Sequence, residues 1–503
     1  MDLFTHQQDA VKWMVQQEQV PDEYGIQGGL LCDEMGLGKT RTCLATIRAV
    51  PVMTIVVCPV SLVKQWEQEA VTFLKQPVCT IVRASEAISC LTASHRHQLV
   101  IISHTCLTKL HDMHMMYQYA FGRLIIDEAH KAKSMSSALW KSVTQIKATR
   151  RWIVTGTPIV TTTIPARSAT TTQHVSKDLR SYLRILRPDI SSQSIRLIEQ
   201  CPKIWHRFLM RRKKDIFQLP PIRTEVIEET LTYQEEHIYN AVYGQGVRII
   251  EETQKTQKTQ KTQTTQAQCQ VEDDLLKCLE EIATRDADDL GGSADSDTDS
   301  TTFTRSLLLP IMMELRRICA TSLSKMDQFE HDIRQQAQPY SRSLVFCSFI
   351  DEITMTSERA QRHVDVVMEF HGKVSLSDRQ EMIDVFMQTK DPRSMCLIIQ
   401  ISCGGCGLNI QAATHVFLMS PSWSAAVEDQ AIARAHRVNT RHCVFVKKYI
   451  MRGTLETYMH TRTNQKRKTA SVLLQEPRSY DAASECVMWK EGHKLFEDEQ
   501  PCI

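Results

Sequence analysis

No apolar run in this 503-residue chain approaches the roughly 20 residues that a membrane-spanning helix requires, so no membrane partner is expected. Met1-Asp2-Leu3-Phe4-Thr5 starts no secretion signal either. Net charge is nearly absent: 60 Lys+Arg against 58 Asp+Glu leave +2, so any basic surface must be local. A second Cys-x-x-C to match Cys403 and Cys406 is missing, which argues against a zinc or redox pair. The 17 cysteines are an odd number scattered among apolar runs (Cys58, Cys79, Cys106, Cys347, Cys396), the pattern of buried thiols in a reducing compartment. Hydrophobic content of 42% and charged content of 23% are ordinary for a globular protein, and the length suits two large domains with connections.

What is present is a phosphate cradle. The run Asp33-Glu34-Met35-Gly36-Leu37-Gly38-Lys39-Thr40 follows the apolar Leu30-Leu31-Cys32 and precedes a helix-compatible stretch from Arg41 to Val50. A strand thus turns into a helix there. Backbone N–H groups of such a turn and the positive end of the helix suit β- and γ-phosphates, with Lys39 adding charge and Thr40 a magnesium ligand. Asp33 breaks the pattern G-x-x-x-x-G-K-[ST] at its first position. Further on, Leu124-Ile125-Ile126 runs into Asp127-Glu128-Ala129-His130. In that arrangement the first carboxylate holds magnesium and the second orients an attacking water. A solvated acidic turn after a core strand is the bland alternative, and the upstream Gly-Lys-Thr turn weighs against it.

Strand-like runs at Thr54–Cys58, Val78–Val82, Leu99–Ser103, Arg123–Ile126 and Trp152–Val154 alternate with longer helical segments. A second series follows at Ser343–Cys347, Met395–Gln400, Thr414–Met419 and Cys443–Tyr449. The pattern predicts an α/β fold with two lobes, each a mainly parallel sheet flanked by helices. Expected boundaries are 1–230 for the ATP-binding lobe, 231–305 for the connection, 306–470 for the second lobe and 471–503 for a tail. Residues 254–266 are a Gln-Lys-Thr tract and 285–302 are rich in Asp, Ser, Thr and Gly, so a flexible low-complexity insert is expected between the lobes. A smaller biased patch runs from Thr161 to Gln173.

In the second lobe, Gln430, Arg434 and Arg437 are spaced by four and three residues, which predicts one helical face carrying an amide and two guanidinium groups. Arginine suits phosphate oxygens because it is always charged and bidentate. A plain surface helix carries arginines at this spacing too. The upstream turn Gly404-Gly405-Cys406-Gly407-Leu408-Asn409 favours the phosphate reading.

Taken in order, these segments resemble the Swi/Snf family of superfamily-two DNA translocases, over about residues 3 to 470. Val57 to Val63 with Trp66, Thr155-Gly156-Thr157-Pro158, Phe4 to Gln7 with Trp13, Leu209 to Asp215 with Leu219-Pro220-Pro221, Leu344 to Phe349, and Phe370-His371-Gly372 with Arg379 extend the likeness. Size and motif content also resemble its compact viral members, the baculovirus global transactivators. The resemblance implies two RecA-like lobes with ATP and Mg bound between them. Gln7, Asp33, Glu34, Met35, Gly36, Leu37, Gly38, Lys39, Thr40, Gly407 and Gln430 would bind the nucleotide. Thr40 and Asp127 would hold Mg, and Lys39, Asp127, Glu128, Arg434 and Arg437 would carry the chemistry.

The implied partner is double-stranded DNA, contacted mainly at its phosphates by Lys64, Ser103-His104, residues near Gly404, and Arg211 to Lys214, a run that alternatively reads as a nuclear-import signal. Between the lobes only Cys269 and Cys278 occur, too few for an inserted zinc domain, and nothing before Leu3 makes a reader domain, so chromatin or transcription proteins are expected to supply targeting. The implied location is the nucleus, a host nucleus for a viral member. Thr161, Gln400, Asn439 and Thr440 depart from the family pattern at positions that couple ATP state to DNA. Two other readings follow: a DNA-binding transcription cofactor with a vestigial ATPase, and a strand-separating helicase, for which no wedge segment is evident.

Overall fold

Each apolar run is long enough for one buried strand, and together the runs build two parallel sheets. The computed structural model describes residues 3–473, apart from 77, 84, 86–98, 113–117, 133, 158–176, 201–203, 205–206, 218, 258–264, 285–298, 405–409, 439 and 441. The first sheet comprises β1 (Gly28–Leu31), β2 (Thr54–Cys58), β3 (Cys79–Ile81), β4 (Leu99–Ser103), β5 (Ala120–Asp127), β6 (Lys147–Val154) and β7 (Leu209–Met210), in the order β3-β4-β2-β5-β6-β1-β7. The second comprises β8 (Ile222–Glu229), β9 (Arg342–Cys347), β10 (Val366–Phe370), β11 (Met395–Gln400), β12 (His415–Leu418) and β13 (Val444–Met451), in the order β10-β11-β9-β12-β13-β8. Strands β2 and β4 are buried at every residue, as parallel strands covered by helices on both faces must be. The expected α/β class and two-lobe arrangement are therefore present.

Separate apolar clusters pack on the two faces of each sheet. The expected thiols Cys58, Cys79, Cys106, Cys347 and Cys396 are buried in these layers. Register brings the functional turns to one edge: Leu31 pairs with Val154 and Val154 with Asp127, so the chain leaves β1, β5 and β6 at the same level. Loops at the carboxyl ends of parallel strands are where ligands bind in such sheets.

Three strands depart from the expected set. β7 has only two residues, while β8 and β10 are the edges of the second sheet, where one side faces solvent and an apolar run is not needed. Because β8 pairs along its whole length with β13, the expected first lobe of 1–230 overruns its end: residues 222–229 belong to the second sheet. The span 231–305 is also more than a connection. Helices Tyr233–Gln257 and Thr265–Thr284, with Asp299–Ala320, bury Tyr239, Leu275, Leu279, Leu308 and Leu315 against Leu455 and Met459 of helix Leu455–Leu473. The most biased stretches, 258–264 and 285–298, lie outside the described residues, as does the tail from 474.

Two buried ion pairs hold helices in place. Glu18 of helix Thr5–Gln19 accepts from Arg123 of β5 at 2.6 and 2.5 Å and from Trp152 Nε1 of β6 at 2.7 Å, which fixes the helix carrying Gln7 on the first sheet. In the second lobe, Lys325 Nζ lies 2.9 Å from both carboxylate oxygens of Glu456, which also accepts the Met451 N–H. Replacing one member leaves the other charge buried and unpaired. Lys325→Met should accordingly lower the unfolding free energy by about 3–5 kcal/mol, read from the urea midpoint at unchanged slope; a loss under about 1 kcal/mol would show that solvent relieves Glu456.

Candidate active site

The phosphate turn owes its shape to two glycines. Gly36 and Gly38 adopt φ of +91° and +81°, the left-handed region that side chains avoid, and Gly38 N-caps helix Lys39–Ala49. A Cβ on Gly38 would also sit 2.3 Å from Gln7 Nε2. Gln7 touches the turn directly: its Nε2 donates to Leu37 O at 3.2 Å, while its Oε1 accepts the Phe4 N–H at 3.1 Å, closing the first turn of its own helix. His6 Nε2 reaches the same Leu37 carbonyl at 3.0 Å. The amide of Gln7 thus braces the loop and keeps one N–H and one lone pair beyond these bonds.

Asp33 and Glu34 serve the loop from outside it. The Asp33 carboxylate is paired with Arg212, whose N and Nε each donate to Oδ1 at 3.0 Å and whose remaining fork contacts Asp33 Oδ2 and His6 O. Glu34 accepts the Lys214 N–H at 2.7 Å. Both carboxylates were expected at the nucleotide, and both are engaged by residues of the chain leaving β7. Lys39 Nζ donates to Asp33 O at 2.9 Å and stands 3.4 Å from where a Cβ on Gly156 would lie. Met35 packs closer still to that glycine, so the Thr155-Gly156 turn closes over the lysine.

Asp127 ends β5 with its carboxylate held at both oxygens: the Glu128 N–H donates to Oδ1 at 2.9 Å and the buried Trp66 Nε1 to Oδ2 at 2.8 Å. Each oxygen keeps an outward lone pair for a hard cation. Among the described residues no three His, Cys, Asp or Glu side chains converge on a metal position. The oxygens of Thr40 and Asp127 fit Mg2+ in chemical type, and would hold it together with phosphate oxygens. Burial, and then the charge of Glu128, push the Asp127 carboxyl up. Burial opposes ionisation of Glu128 as well, but His130, Lys39 and Arg434 outweigh it and hold that carboxyl down. The neighbouring carboxylates are thereby driven apart, one poised to gain by a cation, the other firmly anionic.

Glu128 lies at φ +50°, an uncommon conformation for a side-chain-bearing residue, and its Oε1 accepts from Gln430 Nε2 of the second lobe at 3.2 Å. His130 Nδ1 stands 3.2 Å from the other oxygen. Gln430 and Arg434 share helix Ala425–Ala435 as expected, but Arg437 lies past its end. The expected single helical face therefore carries two of the three side chains. Arg437 is placed instead by a turn: its N–H donates to Thr440 Oγ1 at 2.8 Å, and that hydroxyl donates to Ala435 O at 3.1 Å. Its Cγ comes within 3.5 Å of where a Cβ on Gly36 would lie. Burial and then the neighbouring Arg434, opposed by Glu69, pull its guanidinium down to about 10.

Other expected positions fare unevenly. Ser103 and His104 are buried, not surface DNA contacts; Ser103 Oγ caps the Cys106 N–H, and His104 Nε2 is bonded to Asp127 O at 3.1 Å. Burial pulls the His104 imidazole down to about 3, so it is neutral behind Asp127. Lys64 is exposed. Gly404 ends the short helix Ile401–Gly404, while Gly407, Thr161 and Asn439 lie outside the described residues. Gln400 Oε1 meets Gly372 N at 3.4 Å, tying β11 to the turn after β10. Trp66 was read only as part of the family likeness, and Arg212 and Lys214 as DNA contacts or an import signal; their partners Asp127, Asp33 and Glu34 were missed because they lie 61, 179 and 180 residues away and no local spacing records them.

Residues 6–322 match the model of the SNF2-related domain, and residues 324–439 that of the helicase conserved C-terminal domain. The chain belongs to the SNF2-related family. Among similar proteins, the DNA repair protein RAD5B of Arabidopsis thaliana is 22% identical over 90% of this chain and 46% of its own. An ATP-dependent helicase of Mycoplasma genitalium is 25% identical over 99% of this chain and 44% of its own. The chain spans about half the length of these curated relatives. A solved SWI2/SNF2 ATPase core of Sulfolobus solfataricus, in complex with dsDNA, aligns over 94% of this chain and 93% of its own at 20% identity and a TM-score of 0.39.

In this SNF2-related chain, Trp66 reaches the Asp127 carboxylate through a single N–H, which Trp66→Phe removes while keeping an aromatic ring. The Mg2+ concentration for half-maximal binding of a fluorescent ATP analogue should rise roughly tenfold, as for lost partners of a metal ligand. Unchanged Mg2+ dependence in a folded variant would mean that the indole only fills space.

Proposed function

We propose that the chain is an ATP-dependent double-stranded-DNA translocase of Swi/Snf type that moves or displaces DNA-bound proteins. The observation that supports this reading is that the second lobe meets the first lobe's turns twice, Gln430 donating to Glu128 and Arg437 lying beside Gly36. Lys39 and the loop N–H groups would hold the triphosphate, and Glu128 would orient the attacking water. Arg434 and Arg437 would bear on charge developing at the γ-phosphate when the lobes are together. Thr40 and Asp127 would hold Mg2+, which would supply neutralising charge to the phosphates. Hydrolysis removes what rewards closure, so the lobes would part and step along a strand.

The name of the RAD5B relative, a DNA repair protein, supports DNA as the substrate, and the helicase name of the mycoplasmal relative supports ATP use. DNA contact mainly at phosphates implies binding that weakens steeply with salt. Transcription activation, chromatin or transcription proteins as partners, and a nuclear site of action, in an infected host for a viral member, form the narrower part of the proposal. They rest on the likeness in size and motif content to the baculovirus global transactivators. The bonds that Thr440 makes to Arg437 and Ala435 favour a working arginine site over a vestigial one, since an altered position still holds the arginine in place.

ATP turnover measured without nucleic acid, with duplex DNA, with single-stranded DNA and with RNA should rise most with duplex. Lys39→Ala and Glu128→Gln should each lower it by roughly 100-fold or more. Displacement of a triplex strand without duplex unwinding is the expected signature of translocation. Absence of turnover with every nucleic acid would end the proposal.

A further inference from the structure

Within the basic run Arg211–Lys214, Arg212 and Lys214 turn inward while Lys213 is exposed. Between Phe208 and Lys214 the chain follows the outer side of β1 and the phosphate loop: Leu30 and Cys32 donate to Phe208 O and Met210 O, and Glu34 N donates to Arg212 O at 2.9 Å. Arg212 and Lys214 return bonds to the Asp33 and Glu34 carboxylates. Beyond that point the same segment meets the second lobe. Lys214 Nζ donates to His436 O at 2.6 Å, at the residue that caps helix Ala425–Ala435, and His436 Nε2 lies 2.8 Å from Pro220 O. Two residues later the chain enters β8 of the second sheet.

Lys214 is therefore in contact with both halves of the site. Its backbone is bonded to Glu34, its Cε lies 3.4 Å from where a Cβ on Gly36 would be, and its ammonium sits on the carboxyl end of the arginine helix. A cation is favoured at a helix carboxyl end. Burial, opposed by Glu34 and reinforced by Arg437 and Lys39, pulls the ammonium down to about 8, which fits a charge retained inside for its bonds and not for solvent. None of these contacts requires the side chain to touch nucleotide.

We propose that Lys214 is a positioning residue that seats the arginine helix on the phosphate loop, so that a shift of the Glu34 turn withdraws Arg434 and Arg437 together. The inference rests on ATP being hydrolysed in this cleft. Lys214→Met in the full chain keeps the length of the stem and removes the donor. Affinity for a fluorescent ATP analogue should stay within about threefold of the unaltered protein. The kcat should fall by roughly 10- to 100-fold, and the energy transfer between dyes on the two lobes that reports closure with a non-hydrolysable analogue should be lost. In an Arg437→Ala background the same change should add little, because the two act through one step. Lys214→Gln, which keeps an N–H donor, should be intermediate, and carries the test if circular dichroism shows the Met variant unfolded.

Loss of affinity in step with kcat, full additivity with Arg437→Ala, or unaltered closure would each overturn the proposal. A protein that closes on the analogue in a Lys214-dependent way but never hydrolyses ATP would instead refute the hydrolysis reading alone.

Discussion

The pairing of Asp33 with Arg212 is the contact on which the site depends. A buried carboxylate at the head of a phosphate loop would repel a triphosphate, and leaving it unpaired in a protein interior costs several kcal/mol. Arg212 neutralises it through a bidentate fork and, with the same group, holds His6 O of the first helix. The helix bearing Gln7, the turn bearing Lys39, and the segment that crosses to the second lobe are thus tied at one point. The Glu18, Arg123 and Trp152 cluster then anchors the far end of that helix, so Gln7 presses on the loop from a fixed base.

Across the cleft the decisive contact is electrostatic as well as geometric. Glu128 is held at positive φ where its carboxylate meets Gln430, and His130, Lys39 and Arg434 around it hold its carboxyl down despite burial. Asp127, beside it, is anchored by Trp66 and backed by a neutral His104. Arg434 and Arg437 stand close enough for each guanidinium to feel the other, with Glu69 offsetting part of that repulsion. In this arrangement Gln430 Nε2 donates to Glu128 across the two sheets, so residues of both lobes meet at one place.

How much of this was legible varies with distance along the chain. The phosphate turn, β2, β4 and β11 could be read because strand runs, glycines and the Gly-Lys-Thr order are local features. Edge strands β8 and β10 were not, since an edge needs no continuous apolar run, and that misplaced the lobe boundary at 230. Arg437 was read as helical from spacing alone, whereas the helix stops at Ala435 and a threonine hydroxyl takes over. The basic run 211–214 looked like a solvated or DNA-facing patch because its acidic partners stand near residue 33.

By itself the sequence determined the fold class, the two-lobe plan, and which residue types stand at the ends of which strands, because those follow from local periodicity and backbone preference. Only the tertiary structure decided what each charge does. Asp33 and Glu34 became braces, Ser103 and His104 became buried supports, and Lys214 became a bridge between lobes. The reason is physical: a charge is shaped by whatever lies within a few ångströms, and the neighbours of Asp33, Glu34 and Lys214 are 179 to 222 residues away in the chain.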